Sequence, residues 1–463
     1  MGKDDETDGA KNKGPLDQLL SLFAEVHAGE GLTAIVLTLN VCLLLVAYYV
    51  LKTVREPLII VGGGAEAKSY ATAGQAALLF LIVPVYAGLT RRYPRLKLIT
   101  ITSIFFASNL LLFYVLAQLK VPYLGVVFYL WLGCFSLMVI AQFWSFANDI
   151  YTPAQGKRLF AIVGIGSSVG AVGGSYLAGL LVKPLGPYQM MLVAAALLLV
   201  CLGLTRFANN REEGARRQAK KPDADKPVGG KTGFVMIMED RYLLLIALVI
   251  LVLNLVNTTG EYILDKNIIQ AATEKIPDYA TLPPEAQEDA LGKFVGVFRA
   301  DFFFWVNLIG ALVQMFLVSR IFKYLGVRAA LFSLPLIALG AYGIMAFYPA
   351  LALVRIAKIA ENSCDYSLYN TVKQALWLPT SREAKYNAKA AIDTFIVRIG
   401  DLLSGGLVLV GSLLAFGTLH FAIMNIALVG VWLFLVVLLR REHVKKSGED
   451  ETGAATAEAA KPA

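Results

Sequence analysis

Lys52, Arg55 and Glu56 stand at i, i+3 and i+4 in a stretch that is otherwise mostly apolar, so on a helix two cations and a carboxylate share one face. Such a face can receive an anion, with Glu56 holding the cations in place before it arrives. The plainer alternative is an internal ion pair, with Lys52 or Arg55 snorkelling toward water at the end of the helix. A second group, Asn254, Asn257, Thr258, Thr259, Glu261, Asp265 and Lys266, falls near the end of another apolar stretch. Glu261 is there a gate or coupling group, or a carboxylate paired with a cation of the first half of the chain. A third stretch carries Arg355, Lys358, Glu361 and Asp365, of which the last three keep 3- and 4-residue steps. A fourth places Arg398 and Asp401 one turn apart, downstream of Asp393.

These charges are notable because of the solvent that the rest of the chain demands. Of 463 residues, 57% are hydrophobic and 16% charged, with mean hydropathy +0.62, against about 25% charged in soluble domains. The apolar residues arrive in runs of about 20, enough to cross a hydrocarbon core of about 30 Å as helices. Helices satisfy their own backbone, as lipid requires. Spans are expected near 32–60, 70–90, 98–118, 122–150, 160–182, 188–207, 240–266, 297–319, 329–348, 349–372, 390–412 and 416–440. The fold class is therefore all-α integral membrane, with about twelve transmembrane helices. In that setting each ionisable side chain near a helix centre costs about 2.5–3.5 kcal/mol unless it meets a partner or a cavity. Some of the pairs above must accordingly be structural.

Cations concentrate in alternate loops: Arg91, Arg92, Arg95 and Lys97; Lys157 and Arg158; Arg206 to Lys231; Arg320, Lys323 and Arg328; Arg382, Lys385 and Lys389; Arg440, Arg441, Lys445 and Lys446. Retention of Lys and Arg on the cytoplasmic side then puts both termini in the cytoplasm of a multi-pass protein of a bacterial-type inner membrane. The same rule accounts for the net charge of +8 without a nucleic-acid partner. The hydrophilic interruption from Ala208 to Thr232 reads as a linker between two six-helix halves, a major-facilitator-like plan. The expected divisions are an N-terminal segment 1–31 containing an interfacial helix within 14–29, a half 32–207, a linker 208–235, a half 236–442 and a disordered tail 443–463. Trp144-Ser-Phe-Ala-Asn148 echoes Tyr366-Ser-Leu-Tyr-Asn370, each followed by a basic loop, as two parallel repeats would give.

The enzyme classes find little footing. Cys42, Cys134, Cys201 and Cys364 lie singly within spans, and His27, His420 and His443 are scattered, so no zinc set, disulfide framework or nucleophile and base is expected. No cofactor is implied. The run Gly164-Ile-Gly166-Ser-Ser-Val-Gly170-Ala-Val-Gly173-Gly174 lacks the dinucleotide spacing and a preceding strand. Small residues four apart favour close helix packing instead.

Four segments resemble the nucleotide transporters of plastids and obligate intracellular bacteria, the ATP/ADP translocase type: Leu51-Lys-Thr-Val-Arg55-Glu56-Pro-Leu-Ile-Ile, Phe143-Trp-Ser-Phe-Ala-Asn148, Leu253-Asn-Leu-Val-Asn257, and Lys373-Gln-Ala-Leu-Trp-Leu-Pro379 with Lys389-Ala-Ala-Ile-Asp393. The resemblance puts Arg55 at the family's functional lysine and Glu56 at its acid. It departs at three places: the span-four glutamate falls near Leu132, the span-seven glutamate at Asn257, and the span-eleven lysine around Asp401 to Leu403. What the resemblance implies is alternating access for a small anionic substrate: a nucleotide such as ATP or ADP, another phosphorylated metabolite, or a different organic anion. Lys52, Arg55 and Arg398 would neutralise its charge, Asn148 and Asn257 would supply hydrogen bonds, and Glu261 and Asp401 would couple closure to charge balance, with Lys358 and Glu361 beside them. The protein is expected to act as a monomer in the bilayer. Two alternatives stay open, a proton-coupled facilitator of an unrelated solute and a non-transporting scaffold or sensor.

Overall fold

A computed structural model describes residues 14–21, 26–151, 153–216, 232–381 and 383–447. Arg382, most of the linker and the expected disordered tail beyond Ser447 lie outside the described residues. Those residues are almost wholly helical: α1 (Pro15–Leu20), α2 (Gly31–Arg92), α3 (Arg95–Gln118), α4 (Leu124–Ile150), α5 (Pro153–Arg216), α6 (Gly233–Glu239), α7 (Arg241–Lys275), α8 (Pro284–Leu312), α9 (Val318–Tyr324), α10 (Gly326–Ala330), α11 (Ser333–Phe347), α12 (Leu351–Cys364), α13 (Asn370–Ala375), α14 (Val397–Leu413) and α15 (Thr418–Ser447). Nine helices among the described residues are long and apolar enough to cross a membrane.

Two of those nine carry two spans each. Helix α2 breaks at Gly64 (φ 72°, ψ −169°) and α5 at Gly186 (φ 76°, ψ 168°), a backbone that only glycine adopts without strain. The loops expected at 61–69 and 183–187 are thus single-residue joints. The helix running from α12 into α13 is too charged to count by composition, and with it the chain has about twelve spans. Helix α8 begins at Pro284, well before the span expected at 297, because hydropathy marks only the lipid-crossing part of a helix while backbone hydrogen bonding continues into its polar end.

The chain forms two compact units, interleaved in sequence. The first is drawn from Met1–Gly62, Leu81–Ala224 and Leu282–Phe304, the second from Gly63–Phe80, Asp225–Thr281 and Trp305–Ala463. In the first unit, α5 packs on α2 through glycines. A Cβ on Gly166 would strike the Thr38 carbonyl oxygen, one on Gly170 the Cys42 carbonyl oxygen, and one on Gly174 would come within 2.7 Å of the Val46 Cα. Glycines four apart thus meet backbone four apart, and Gly164 and Gly173 face open space. Trp131 centres an aromatic knot, with ring centroids of Phe106, Phe113, Phe128 and Phe135 5.3–5.6 Å away.

The N-terminal segment is tied to this unit by two carboxylates. Asp17 of α1 is buried and accepts from the backbone N–H of Gly29 (3.0 Å) and Gly31 (2.8 Å), capping α2 from a distance where Glu30 offers it no side-chain cap. Glu30 receives the Arg158 fork at 3.0 Å on both oxygens, the Gln155 amide and the His27 N–H. Burial pushes the Glu30 carboxyl up, but hydrogen bonds from Arg158, His27 and Gln155 outweigh it and hold the group below its ordinary 4.5. A lowered folded pKa gives stability that is present above the ordinary value and lost as pH falls through the folded one. Acidification below about 4.5 is therefore expected to loosen this tie. Glu30→Gln should lower the melting temperature at pH 7 and flatten the acid limb of the melting curve; an unchanged acid limb would mean that the tie contributes nothing.

In the second unit, the segment 63–80 is fastened to α7 by Lys68–Asp265 at 2.8 Å, with both side chains buried, and by Glu66–Lys266 at 2.6 Å with the Tyr262 hydroxyl donating to Glu66. Lys68, expected in a loop, is thus a buried helical residue. Phe80 stacks on Phe395 at 5.3 Å, and Ala73 sits where a Cβ on Gly405 would need to be. Among the described residues four π turns interrupt this unit, at Val313–Leu317, Asp365–Tyr369, Ala384–Ala388 and Ile392–Ile396, local widenings that recur at functional sites.

Candidate functional site

Helix α2 carries Lys52, Arg55 and Glu56 in the first unit. Glu56 is fully buried and shared by two guanidinium groups: Arg55 pairs with Oε1, its Nε at 3.1 Å, and Arg299 of α8 approaches Oε2 with Nε at 3.5 Å. Lys52 and Arg55 are half-buried and held by rings, Lys52 Nζ lying 4.3 Å from the Phe303 centroid and 5.4 Å from that of Tyr49, and the Arg55 guanidinium 4.3 Å from that of Tyr129. Cation–π contact stabilises a partly desolvated cation. Arg299 escaped the sequence reading. Its signal was there, an arginine in the first turn of a span expected at 297–319.

In the second unit Lys358 is the hub. Its buried ammonium donates to Glu361 Oε2 (2.9 Å) and Asn257 Oδ1 (3.0 Å) and lies 3.8 Å from Glu261 Oε1. The Tyr342 hydroxyl donates to Glu361 (3.0 Å), and Asn362 donates to Glu261 (3.1 Å). Four of the expected residues are therefore brought together, Asn257, Glu261, Lys358 and Glu361, and Tyr342 and Asn362 are additions. Glu261 meets a cation of its own unit. Asp365 leaves this face, since the π turn starts there and Asp365 pairs with Lys373 at 3.2 Å.

Arg398 and Asp401 pair at 2.9 Å, and Asp401 accepts from Asn254 (2.7 Å) and Thr258 (3.0 Å) of α7. Gly400 lets α14 approach closely, since a Cβ there would come within 2.9 Å of that of Asn254. Asn148 is exposed, with its amide donating to the Trp144 carbonyl of its own helix at 2.9 Å. Among the described residues no group of His, Cys, Asp or Glu is arranged to hold a metal ion.

These features sit on a fold shared with solved transporters. The nucleoside transporter NupG superposes with a TM-score of 0.60 at 13% identity, over 87% of this chain and 98% of its own. A peptide transporter POT in complex with sulfate gives 0.61 at 11% identity, over 89% and 94%. The architecture is accordingly major-facilitator-like. Among curated proteins, ADP,ATP carrier protein 1 of Chlamydia pneumoniae is 22% identical over 68% of this chain and 66% of its own length, and ADP,ATP carrier protein 2 of the same organism is 22% identical over 94% and 93%. The chloroplastic ADP,ATP carrier protein 2 of Arabidopsis thaliana is 23% identical over 68% and 54%. The chain thus aligns with just under two thirds of the first of these carriers. The family described as TLC ATP/ADP transporter matches residues 123–443. That match takes in well over half of this multi-pass membrane protein, which belongs to the TLC ATP/ADP transporter family.

Proposed function

We propose that the protein is a secondary transporter that moves an anionic solute by alternating access, and that it exchanges nucleotides of the ATP/ADP type. The observation that carries this reading is the pair of half-buried cations Lys52 and Arg55, held on rings and by Glu56, in a chain whose relatives are named ADP,ATP carriers. Such cations complement phosphate charge in a medium of low dielectric, where the attraction is strongest. Arg398, oriented by Asp401, supplies a third cation, and Asn148 and Asn257 supply polar contacts. Glu261, Lys358 and Glu361 form a charge cluster that responds to the bound anion. The transporter works as a monomer, in an inner membrane, with both termini in the cytoplasm and a six-helix half on each side of the linker.

Labelled ATP supplied to proteoliposomes preloaded with ADP tests this reading. Uptake is expected from loaded vesicles and not from empty ones, and Arg55→Ala should reduce it to background, a loss of at least about a hundredfold if the guanidinium supplies one charge-assisted bidentate contact in a dry site. No uptake from well-folded wild-type protein would confine the likeness to the fold. A second reading has one observation in its favour. Glu261 and Glu361 both lie within 4.0 Å of the single Lys358 ammonium, an arrangement in which one carboxylate can take up a proton. On that reading uptake would follow an imposed proton gradient, and Glu261→Gln would abolish the dependence.

A further inference from the structure

Helix α8 approaches the charged face of α2 along a single stripe. Gly292, Gly296, Arg299 and Phe303 follow at steps of four, three and four, so they share one face. The upper part of that stripe is small. A Cβ on Gly292 would sit 3.5 Å from Val61 Cγ2, and one on Gly296 would lie 3.8 Å from Pro57 Cγ and 2.9 Å from Val182 Cγ2. The lack of side chains lets α8 come down beside Pro57, one residue past Glu56. The lower part does the opposite and reaches out, with Arg299 to the Glu56 carboxylate and Phe303 beneath the Lys52 ammonium. Arg299 is itself fully buried, whereas Arg55 keeps part of its side chain exposed.

From this geometry we infer that Arg299 is a positioning residue for the anion site, fixing the direction of the Arg55 guanidinium through their shared carboxylate Glu56. The inference rests on the reading that Arg55 meets the transported anion. The two Glu56 oxygens divide the labour, Oε1 to Arg55 and Oε2 to Arg299. With Oε2 facing Arg299, turning the carboxylate about its terminal torsion to follow Arg55 would lengthen that ion pair, and the Arg55 guanidinium in turn lies 4.3 Å from the Tyr129 ring centroid. Its remaining donors then point one way. Release of Oε2 frees the pair to turn together, which weakens ground-state and transition-state binding alike and leaves the rate of the conformational cycle untouched.

The test is the kinetics of ATP/ADP exchange by Arg299→Gln, Arg55→Gln and the double variant in proteoliposomes. Arg299→Gln is expected to raise KM for ATP about tenfold with Vmax within about twofold of wild type. Arg299→Lys, which keeps the charge without the guanidinium plane, falls between wild type and Arg299→Gln. The double variant should match Arg55→Gln alone, because removing Arg299 has nothing left to misplace. Should Arg299→Gln fail to fold with Glu56 left buried, Arg299→Met combined with Glu56→Gln removes that charge and carries the same KM expectation. Multiplying effects in the double variant, or a fall in Vmax at unchanged KM, would overturn the inference. Inorganic pyrophosphate separates it from the substrate reading. A wild type that does not exchange nucleotides but melts higher with pyrophosphate, an increase removed by Arg299→Gln, sinks the nucleotide assignment and keeps the positioning role; a pyrophosphate increase retained in Arg299→Gln sinks the role itself.

Discussion

Lys358→Met should cost the folded protein about 3–5 kcal/mol, the usual penalty for removing one partner from a buried ion pair. The ammonium is fully buried and donates to Glu361 and Asn257. Without it Glu361, itself 2% exposed, keeps only the Tyr342 hydroxyl among the partners described above, and a carboxylate in an apolar bundle is far too costly to leave so poorly matched. The melting temperature in detergent should fall by about 3–10 degrees, for cooperative unfolding of the whole chain or of one unit, or the variant should fail to accumulate. Adding Glu361→Gln ought to recover much of the loss, because the amide still accepts from Tyr342 and carries no charge. A single variant that melts beside wild type would show the pair to be incidental.

Gly170→Leu is the second large effect. The carbonyl of Cys42 occupies the place of the missing Cβ, and backbone within a helix cannot step aside as a side-chain tip can. Overpacking of this kind costs about 1–3 kcal/mol and more where rigid atoms meet. Gly173→Leu, one turn away and facing open space, serves as the control and should stay within about 0.5 kcal/mol of wild type. Equal melting temperatures for the two variants would refute the glycine contact between α5 and α2.

The span layout was legible because lipid admits so few solutions: runs of apolar residues had to be helices, and the breaks at Gly64 and Gly186 fell within the expected interruptions. Which glycines pack was only half legible. Four-residue spacing singled out the 164–174 run, but Gly166, Gly170 and Gly174 were separated from Gly164 and Gly173 only by where α2 lies. Local charge spacing also told its share. Lys358 and Glu361, and Arg398 and Asp401, meet within single helices, so i+3 arithmetic finds them, whereas Arg55 and Glu56 pair as chain neighbours. Partners far apart in sequence were out of reach. Nothing local joins Arg299 to Glu56 or Lys68 to Asp265, and a lone charge in a span says only that some partner exists. The Asp365 step failed for a different reason, because that arithmetic presumes an unbroken α-helix and a π turn begins at that residue.

The same π turn also changes the directions in which side chains leave the helix. Trp144 to Asn148 lies in uninterrupted α-helix, whereas its echo, Tyr366 to Asn370, runs through the turn Asp365–Tyr369. A loop closing on i+5 in place of i+4 houses one surplus residue. Overlaying the two stretches residue for residue therefore matches the serine and the asparagine of each and turns their faces apart.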